Sequence, residues 1–307
     1  MSRRTRPTQT AINVSVSSVS PLSAEFSVSG IDQALSNALR RVMIAEVPTL
    51  AIDLVTIESN TTPLFDELLA HRLGLLPIDS RLADRYQFAR ECTCAASCPN
   101  CTVRYTLNVS AGDEGVTEVT HLDVYPEGEG LPLPVPLWDR RLSPEENRLR
   151  AIILAKMRKG QSLKVRMEAK KGNGRMHAKY QATGTVIMRY ETAVAIDRDV
   201  EYALPSESRR AIVGSCPSGV FELDAGERIV AARPDECILC DECVVKSKSL
   251  GAPGLVSISQ NTDVAHFEVE STGARNSSEI AVAGAQILKD KFQGLLTDLE
   301  DWEREFA

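Results

Sequence analysis

The sequence predicts an α+β fold, in which a strand-and-helix start and a long final helix enclose a β-rich middle. Three observations support this class. Residues 12–29 alternate apolar and polar side chains, which is typical of strands. Residues 32–46 and 277–306 instead place apolar side chains three and four positions apart, which is typical of amphipathic helices. Between them, residues 80–190 contain short alternating runs joined by connections rich in Gly, Pro and Glu, as expected for antiparallel strands.

The first helix is predicted from its apolar stripe and from the residue that stops it. Leu35, Leu39 and Val42 recur at helical spacing within residues 32–46. Pro48 then ends the helix, because the proline ring cannot continue the hydrogen-bonding pattern of a helix interior. We therefore expect this helix to present one apolar face.

The next elements are a strand over residues 49–57 and a second helix over 64–74. Gly74 is predicted to close that helix, since glycine best tolerates the left-handed conformation that often follows a helix. A further short helix is predicted after Pro144, with Ser143 as its N-cap.

The last helix, over residues 277–306, is unusually long. At 1.5 Å rise per residue it spans about 45 Å, whereas helices in globular proteins average about 11–12 residues. Ile287, Leu288, Leu295 and Leu299 belong to its apolar stripe. The stripe can cover the chain's own sheet or pack across a dimer interface, and both alternatives are open from the residues alone.

Four cysteines within ten residues form the first candidate metal site: Cys92, Cys94, Cys98 and Cys101, spaced C-x-C-x3-C-x2-C. Four thiolates joined by small and turn-forming residues can surround one tetrahedral ion, and zinc accepts such an all-thiolate set. No additional nucleophile nearby indicates a catalytic site, in which one coordination position of the metal stays open. We predict a closed structural zinc site; the alternative is a group of free surface thiols.

The second group comprises Cys216, Cys237, Cys240 and Cys243. C-x2-C-x2-C with a remote Cys-Pro is the spacing with which bacterial ferredoxins hold an iron–sulfur cluster. Ser247 stands where a second cluster would need another cysteine, so at most one cluster is expected. Three interpretations are open: one [4Fe-4S] or [3Fe-4S] cluster, zinc at the same thiolates, or a metal-free segment with a ferredoxin-like fold.

Composition and motifs exclude several functions. A net charge of −7 argues against a protein that binds nucleic acid over its whole surface. The basic run at 156–180 can meet DNA or an acidic protein neighbour. No apolar run is long enough to cross a membrane. The scattered histidines His71, His121, His177 and His266 match no acid–base or nucleophilic arrangement, so no catalytic residue is predicted.

Four segments carry a resemblance to a known family. Residues 35–52, which include the run Asn-Ala-Leu-Arg-Arg, and residues 66–78 resemble the signature of the alpha-type subunits of cellular RNA polymerases. Residues 170–179 and 267–273 are similar to the eukaryotic third-largest subunit within that family. The first cysteine group matches the zinc loop of the polymerase II version, and the second resembles a ferredoxin-like segment of some archaeal members. Tyr180-Gln181 departs from the family, which has Trp-Ser-Pro there.

The resemblance implies a domain organisation. Residues 1–50 and 262–307 would form one discontinuous dimerisation domain, with an inserted β-rich domain over 51–191 that carries the zinc loop and a ferredoxin-like cysteine segment over 192–261. The first and last helices would pair with a smaller alpha-like subunit. The residues expected in that interface are Leu35, Leu39, Val42, Ile287, Leu288, Leu295 and Leu299.

The function implied by the resemblance is that of a non-catalytic assembly subunit of DNA-directed RNA polymerase II in the nucleus. The heterodimer would be the platform for the two largest subunits and small accessory subunits, and the chain would meet DNA only through the complex. Arg40 and Arg41 are expected to reach carboxylates on a large subunit. The alternatives are a stand-alone iron–sulfur redox protein, a zinc-dependent nucleic-acid-binding module, and the equivalent subunit of polymerases I and III.

Overall fold

A computed structural model describes residues 11–113, 115–136 and 141–306, and it confirms a fold of mixed helices and strands. Residues 1–10 of the predicted first domain lie outside this range. The strands are β1 (Asn13–Val19), β2 (Ser23–Ser29), β3 (Thr49–Asn60), β4 (Thr102–Ser110), β5 (Thr117–Thr120), β6 (Val124–Pro126), β7 (Ile153–Met157), β8 (Ser162–Gly172), β9 (Thr183–Ile196), β10 (Phe221–Leu223), β11 (Ile229–Ala231) and β12 (Val256–Ser271). The helices are α1 (Gln33–Ala45), α2 (Asp66–Gly74), α3 (Pro144–Leu149), α4 (Arg198–Tyr202), α5 (Ser206–Val213), α6 (Glu242–Ser249) and α7 (Ser277–Phe306).

The described chain forms two compact units. The smaller unit contains residues 11–15, 27–36 and 188–266, and the larger contains residues 16–26, 37–187 and 267–306. The predicted cysteine segment over 192–261 lies within the smaller unit. The division into three domains that the resemblance implies is finer than this and stays a prediction.

Two larger sheets organise the strands. One has the order β3-β8-β4-β6 and the other β1-β2-β12-β9, while β5 pairs with β7 and β10 with β11. In the first sheet β8 is central and runs antiparallel to both neighbours, with Val165 opposite Ile57 of β3 and Leu107 of β4. From Leu163 to Ala169 every second side chain of β8 is buried, so the alternation read from the sequence is the pattern of a sheet with one face on the core.

The core of the larger unit lies on that sheet. Leu69 and Leu73 of α2 are buried in the same cluster as Tyr105, Leu107 and Val165. Burial of apolar area stabilises by about 25 cal/mol per Å², so the burial of these side chains stabilises the unit. The Tyr105 hydroxyl donates to the carbonyl of Pro132 at 2.9 Å, which satisfies its polar end in the core.

Helix α7 packs on α1 near its own start. Ile280 and Gly284 are fully buried, and a Cβ at Gly284 would lie 3.6 Å from Leu39 Cδ1. Lys291 Nζ, two turns further on, lies 2.5 Å from Glu46 Oε2 just beyond the end of α1. The first turns of α7 therefore belong to the core of the larger unit.

The smaller unit has its own core, in which Ile212, Phe221, Ile229 and Leu255 are buried with Cys243. Glu201 is buried beside it, and its carboxylate accepts a hydrogen bond from the backbone of Ile229. Within the described residues, no helix has both the length and the apolar character needed to cross a membrane.

Candidate metal centre and exposed helix surface

The first cysteine group is held in a loop that leads into β4. The Cys92 amide donates to the carbonyl of Phe88 at 3.1 Å, which fixes the start of the loop. At its end the amides of Cys101 and Thr102 both donate to the carbonyl of Cys98, at 3.1 and 2.9 Å. Because β4 begins at Thr102, the core sheet anchors one end of the loop.

The four sulfur atoms of this loop form one compact group. All lie within 4.8 Å of one another, and the Sγ–Sγ distances are 3.5 Å for Cys92–Cys98, 3.6 Å for Cys94–Cys101 and 3.7 Å for Cys98–Cys101. Zn–S bonds of about 2.3 Å in a tetrahedron place sulfur atoms about 3.8 Å apart. A disulfide instead requires about 2.05 Å. The arrangement therefore fits a single four-coordinate metal ion.

Hydrogen bonds among these thiols separate their acidities. Hydrogen bonds with Cys92 and Cys101 raise the pKa of Cys94 to about 12, whereas hydrogen bonds with Thr102 and with the Cys98 backbone lower the pKa of Cys101 to about 6. A metal ion binds thiolates and releases these protons. Cys101 is buried and the other three are partly exposed, so the site lies at the surface with one ligand embedded in the core.

A polar contact joins the loop to the sheet. Arg104 of β4 donates through Nη2 to Ser97 Oγ at 3.2 Å, and its Nε lies 3.6 Å from Glu168 Oε1 of β8. Ser97 lies between two of the cysteines, Cys94 and Cys98, so this contact orients the middle of the loop. Sequence reasoning missed all three residues, because nothing in the spacing shows which strand residues face the loop.

The second cysteine group is less compact. Cys216, Cys237 and Cys243 contribute to one apolar cluster of the smaller unit, whereas Cys240 is exposed. Burial raises the pKa of Cys243 to about 11, and Cys216 and Cys237 lie close enough to add to that rise. Among the described residues, only the first group brings metal-ligating atoms of three or more side chains together.

The seven predicted interface residues differ in how much surface they offer. Leu35, Leu39, Ile287 and Leu288 are partly buried in this chain. Val42 is only 4% exposed, so its side chain serves the chain's own core and offers no surface to a partner. Leu295 and Leu299 are 57% and 58% exposed.

The second half of α7 exposes a continuous apolar stripe, which we call the α7 stripe. Its members recur at helical spacing and are 53% to 69% exposed: Phe292, Leu295, Leu296, Leu299, Trp302 and Phe306. Sequence reasoning missed Phe292 and Leu296. The spacing of i, i+3, i+4 and i+7 from Phe292 was the signal that could have found them.

The two arginines predicted to contact a large subunit lie on α1. Arg40 donates through Nε and Nη2 to Asn37 Oδ1, at 3.2 and 2.9 Å, and Arg41 is exposed. Within the described part of the chain, neither pairs with a carboxylate. Both guanidinium groups thus keep their charge available on the surface of this helix.

The basic run at 156–180 is largely neutralised within the chain. Lys164 and Arg166 share Glu58, with Lys164 Nζ at 2.8 Å from Oε2. Other members pair with acidic neighbours: Lys156 with Glu118, Lys159 with Asp113, Lys171 with Asp84, Arg175 with Glu46 and Lys179 with Asp53. Such pairing weakens the field that phosphate binding requires.

Comparisons with known proteins agree with these features. The sequence profile described as the RNA polymerase Rpb3/Rpb11 dimerisation domain matches residues 25–292. The chain is 36% identical over 278 residues to DNA-directed RNA polymerase II subunit rpb3 of Dictyostelium discoideum, covering 90% of this chain and 89% of that protein. It is also 36% identical to subunit 3 of polymerases II, IV and V of Arabidopsis thaliana, covering 89% of this chain and 86% of that protein.

A subunit of polymerases I and III is also related. The Dictyostelium discoideum protein rpac1 is 31% identical, covering 87% of this chain and 75% of that protein. This lower identity favours the polymerase II type over its polymerase I and III counterpart. The chain therefore belongs to the RNA polymerase family that carries the Rpb3/Rpb11 dimerisation domain, as an alpha-like subunit of the third-largest, Rpb3 type.

Proposed function

We propose that this chain is the non-catalytic alpha-like subunit of a DNA-directed RNA polymerase II, and that it pairs with a smaller alpha-like subunit through α7. The observation that carries the proposal is the α7 stripe. Isolated soluble chains rarely expose a contiguous apolar surface of this kind, and such surfaces commonly mark protein interfaces. A partner helix lying along the stripe would bury it. The Rpb3/Rpb11 dimerisation profile covers α1 and the first half of α7, up to residue 292.

The resulting heterodimer is the platform on which the two largest subunits assemble, with small accessory subunits around them. Arg40 and Arg41 support this role, since both offer unpaired guanidinium groups within the described chain that suit carboxylates of a large subunit. The chain meets DNA only through the complex, in agreement with its net charge of −7 and its internally paired basic run. We place its site of action in the nucleus, where polymerase II transcribes.

Co-expression tests the pairing. The chain is expected to be poorly soluble alone and to be recovered as a stable 1:1 complex with its small alpha-like partner. Size-exclusion chromatography with light scattering measures both. A monodisperse monomer that gains nothing from the partner would refute the proposal.

The metal of the first cysteine group is zinc in our proposal. Four thiolates in a tetrahedral arrangement with no open position suit a structural ion, which needs no redox partner. When bound, the ion would hold Cys92, Cys94, Cys98 and Cys101 together and fix the loop ahead of β4. The chain's own contribution is the anchoring at Thr102 and the contact between Ser97 and Arg104.

For the second cysteine group we propose one iron–sulfur cluster in a ferredoxin-like segment. The spacing of Cys237, Cys240 and Cys243 and the remote Cys216-Pro217 support it, as does the shared apolar cluster around Cys216, Cys237 and Cys243. Cys240 would have to turn inward to serve as a ligand. The role would be to stabilise the local fold, because metal binding contributes folding free energy.

Metal analysis on protein purified with its partner under anaerobic conditions tests both metals. One zinc with three or four irons per chain and a brown absorbance would support both sites. Zinc alone would refute the cluster. It would also eliminate the rival function of a stand-alone iron–sulfur redox protein, whose chemistry requires the cluster.

A further inference from the structure

Two cationic side chains are buried near one another beside the zinc loop, far apart in the sequence. Lys171, at the end of β8, has a side chain only 11% exposed, and Arg275, just before α7, has one only 7% exposed. Each contacts Asp84: Arg275 Nη2 lies 2.8 Å from Oδ2, and Lys171 Nζ lies 3.8 Å from Oδ1. Charged side chains of this kind are rarely buried without full pairing.

The charges of this group do not balance. Two cations face one carboxylate, and across the described residues no second carboxylate lies within ion-pair distance of Lys171 or Arg275. Arg275 also donates through Nη1 to the carbonyl of Pro48 at 3.3 Å, but its Nε is buried without a hydrogen-bond partner. One positive charge therefore remains without an ion-pair partner, on two side chains that are themselves largely buried.

Two further observations show that the excess charge is costly. Burial lowers the pKa of Lys171, and the charge of Arg275 lowers it further against the opposing effects of Asp84 and, more weakly, of Glu91. The Phe88 ring lies 5.1 Å from Lys171 Nζ and supplies partial compensation through its π face. The side chain of Asp84 is 65% exposed, so solvent or another chain can reach the two cations from the side of this carboxylate.

The same strand offers an internal comparison. Lys164 and Arg166 also share one carboxylate, that of Glu58, but their side chains are 52% and 64% exposed. Water can screen the excess charge there, whereas it cannot at Lys171 and Arg275. The difference in burial thus separates a surface charge cluster from a site that needs a further anion.

We propose that Lys171 and Arg275 form, with Asp84, a docking site for a carboxylate of a neighbouring protein chain. One uncompensated positive charge matches a monoanion, and a dianion such as sulfate or phosphate would reverse the imbalance. The carboxylate would come from an Asp or Glu side chain that approaches beside Asp84 and takes hydrogen bonds from the two cations. The neighbouring chain is another subunit of the assembly, and this identification rests on the proposed function.

Anion-dependent stability of the full chain, co-purified with its small alpha-like partner, tests the site directly, with sodium acetate as the probe and sodium chloride at equal ionic strength as reference. At an acetate concentration about ten times the dissociation constant, the wild-type melting midpoint should rise by about 3 °C over chloride. Lys171→Met should abolish this difference, and the matched variant Lys164→Met should retain it. Equal acetate effects in both variants, or no effect in the wild type, would overturn the proposal. A larger effect of sulfate than of acetate would indicate a free-anion site and would also overturn it.

Zero-length carbodiimide cross-linking of the purified assembly tests the partner. A carboxylate in contact with Lys171 Nζ becomes an amide, and mass spectrometry then joins the Lys171 peptide to an acidic peptide of another chain. Cross-links from Lys171 only to Asp84 would refute the docking site while leaving assembly intact. A failure of assembly itself would be seen first, in the absence of the complex, so the two proposals fail in distinguishable ways.

Discussion

Met43 of α1 packs so closely against Gly284 of α7 that a side chain at position 284 would have no room. A Cβ built on Gly284 would lie 2.8 Å from Met43 Cγ, and Met43 is fully buried. Real Cβ atoms do not approach so closely, so the two helices owe their contact to the missing side chain. Gly294, on the same helix, has no heavy atom within 4 Å of such a Cβ.

The pair of glycines gives a matched prediction about stability. Gly284→Ala should lower the free energy of unfolding by about 1–3 kcal/mol, because overpacking outweighs the gain in helix propensity. Gly294→Ala should raise it by up to about 1 kcal/mol, since only propensity changes. Chemical denaturation of the heterodimer measures both. Equal effects of the two substitutions would show that α1 and α7 are not packed closely at Gly284.

The α7 stripe predicts which substitutions break the heterodimer. Leu295→Asp should reduce recovery of the partner more than about tenfold, because burying a carboxylate costs several kcal/mol and 1.4 kcal/mol is already a factor of ten. Thr297→Asp introduces the same charge on the opposite face of the helix and should leave recovery unchanged. Pull-down with the co-expressed partner measures both, and equal recovery would move the interface elsewhere.

Leu39→Asp is also expected to abolish recovery of the partner. Leu39 lies 3.6 Å from the position of a Cβ on Gly284, so the substitution disturbs the chain's own packing as well. A thermal melt of the variant separates the two effects. An unchanged melting midpoint with lost recovery would place Leu39 in the interface, whereas unchanged recovery would exclude it.

The proposed zinc site predicts a defined metal stoichiometry. Cys98→Ser should reduce zinc from one ion per chain at this loop to none, because three remaining thiolates hold the ion far less well than four. Ser97→Ala, in the same loop, removes a contact to Arg104 but no ligand, and should retain the ion. Elemental analysis after dialysis against a mild chelator provides the measurement. Full zinc content in the Cys98→Ser protein would contradict the assignment.

The ion pair of Asp53 with Lys179 predicts that the free energy of unfolding depends on pH. Although burial acts to raise the pKa of Asp53, its hydrogen bond from Lys179 Nζ at 2.8 Å and the charge of Lys179 lower the pKa below the usual value. A depressed carboxyl pKa in the folded state adds stability above about pH 4, the unfolded value, and this stability is lost as pH falls through the folded pKa. Asp53→Asn should therefore cost about 1 kcal/mol at pH 7 and progressively less below pH 4, after allowance for the partial exposure of the pair.

The control for Asp53 is Glu118→Gln. Glu118 also pairs with a lysine, Lys156, at 2.8 Å, but both side chains are about half exposed. The expected cost is below about 0.5 kcal/mol at any pH. Urea titrations between pH 3 and pH 7 compare the variants, and a cost for Asp53→Asn that does not change with pH would contradict the role of its charge.

Elements with a strong local pattern could be predicted from the sequence. Helix α7 spans the predicted residues 277–306, because a long periodic stripe needs no tertiary information to be recognised. Helix α2 ends at Gly74 as predicted, but for a different reason, since Leu75 after it stays in the right-handed region at φ −88°. Helix α2 ends there because Leu76 turns into the core, and only the tertiary structure reveals this.

The candidate sites divide in the same way. The grouping of Cys92, Cys94, Cys98 and Cys101 could be predicted, because the small and turn-forming residues between them let the chain fold back on itself. The exposure of Cys240 could not be predicted, since it depends on the left-handed backbone at Leu239 and Asp241 on either side, with φ of 57° and 59°. Non-glycine residues seldom adopt this conformation, and no pattern in the sequence predicted it.

The division of α7 into a buried first part and an exposed second part bears on the life of the chain before assembly. A newly made copy can fold its own core, since Ile280 and Gly284 need no second chain. It nevertheless carries the α7 stripe uncovered until a partner arrives, and such a surface promotes self-association and capture by chaperones or proteases. Copies of this chain that are made in excess of the partner would accordingly aggregate or be degraded. The abundance of this subunit in the cell should therefore follow the supply of its partner and not its own rate of translation.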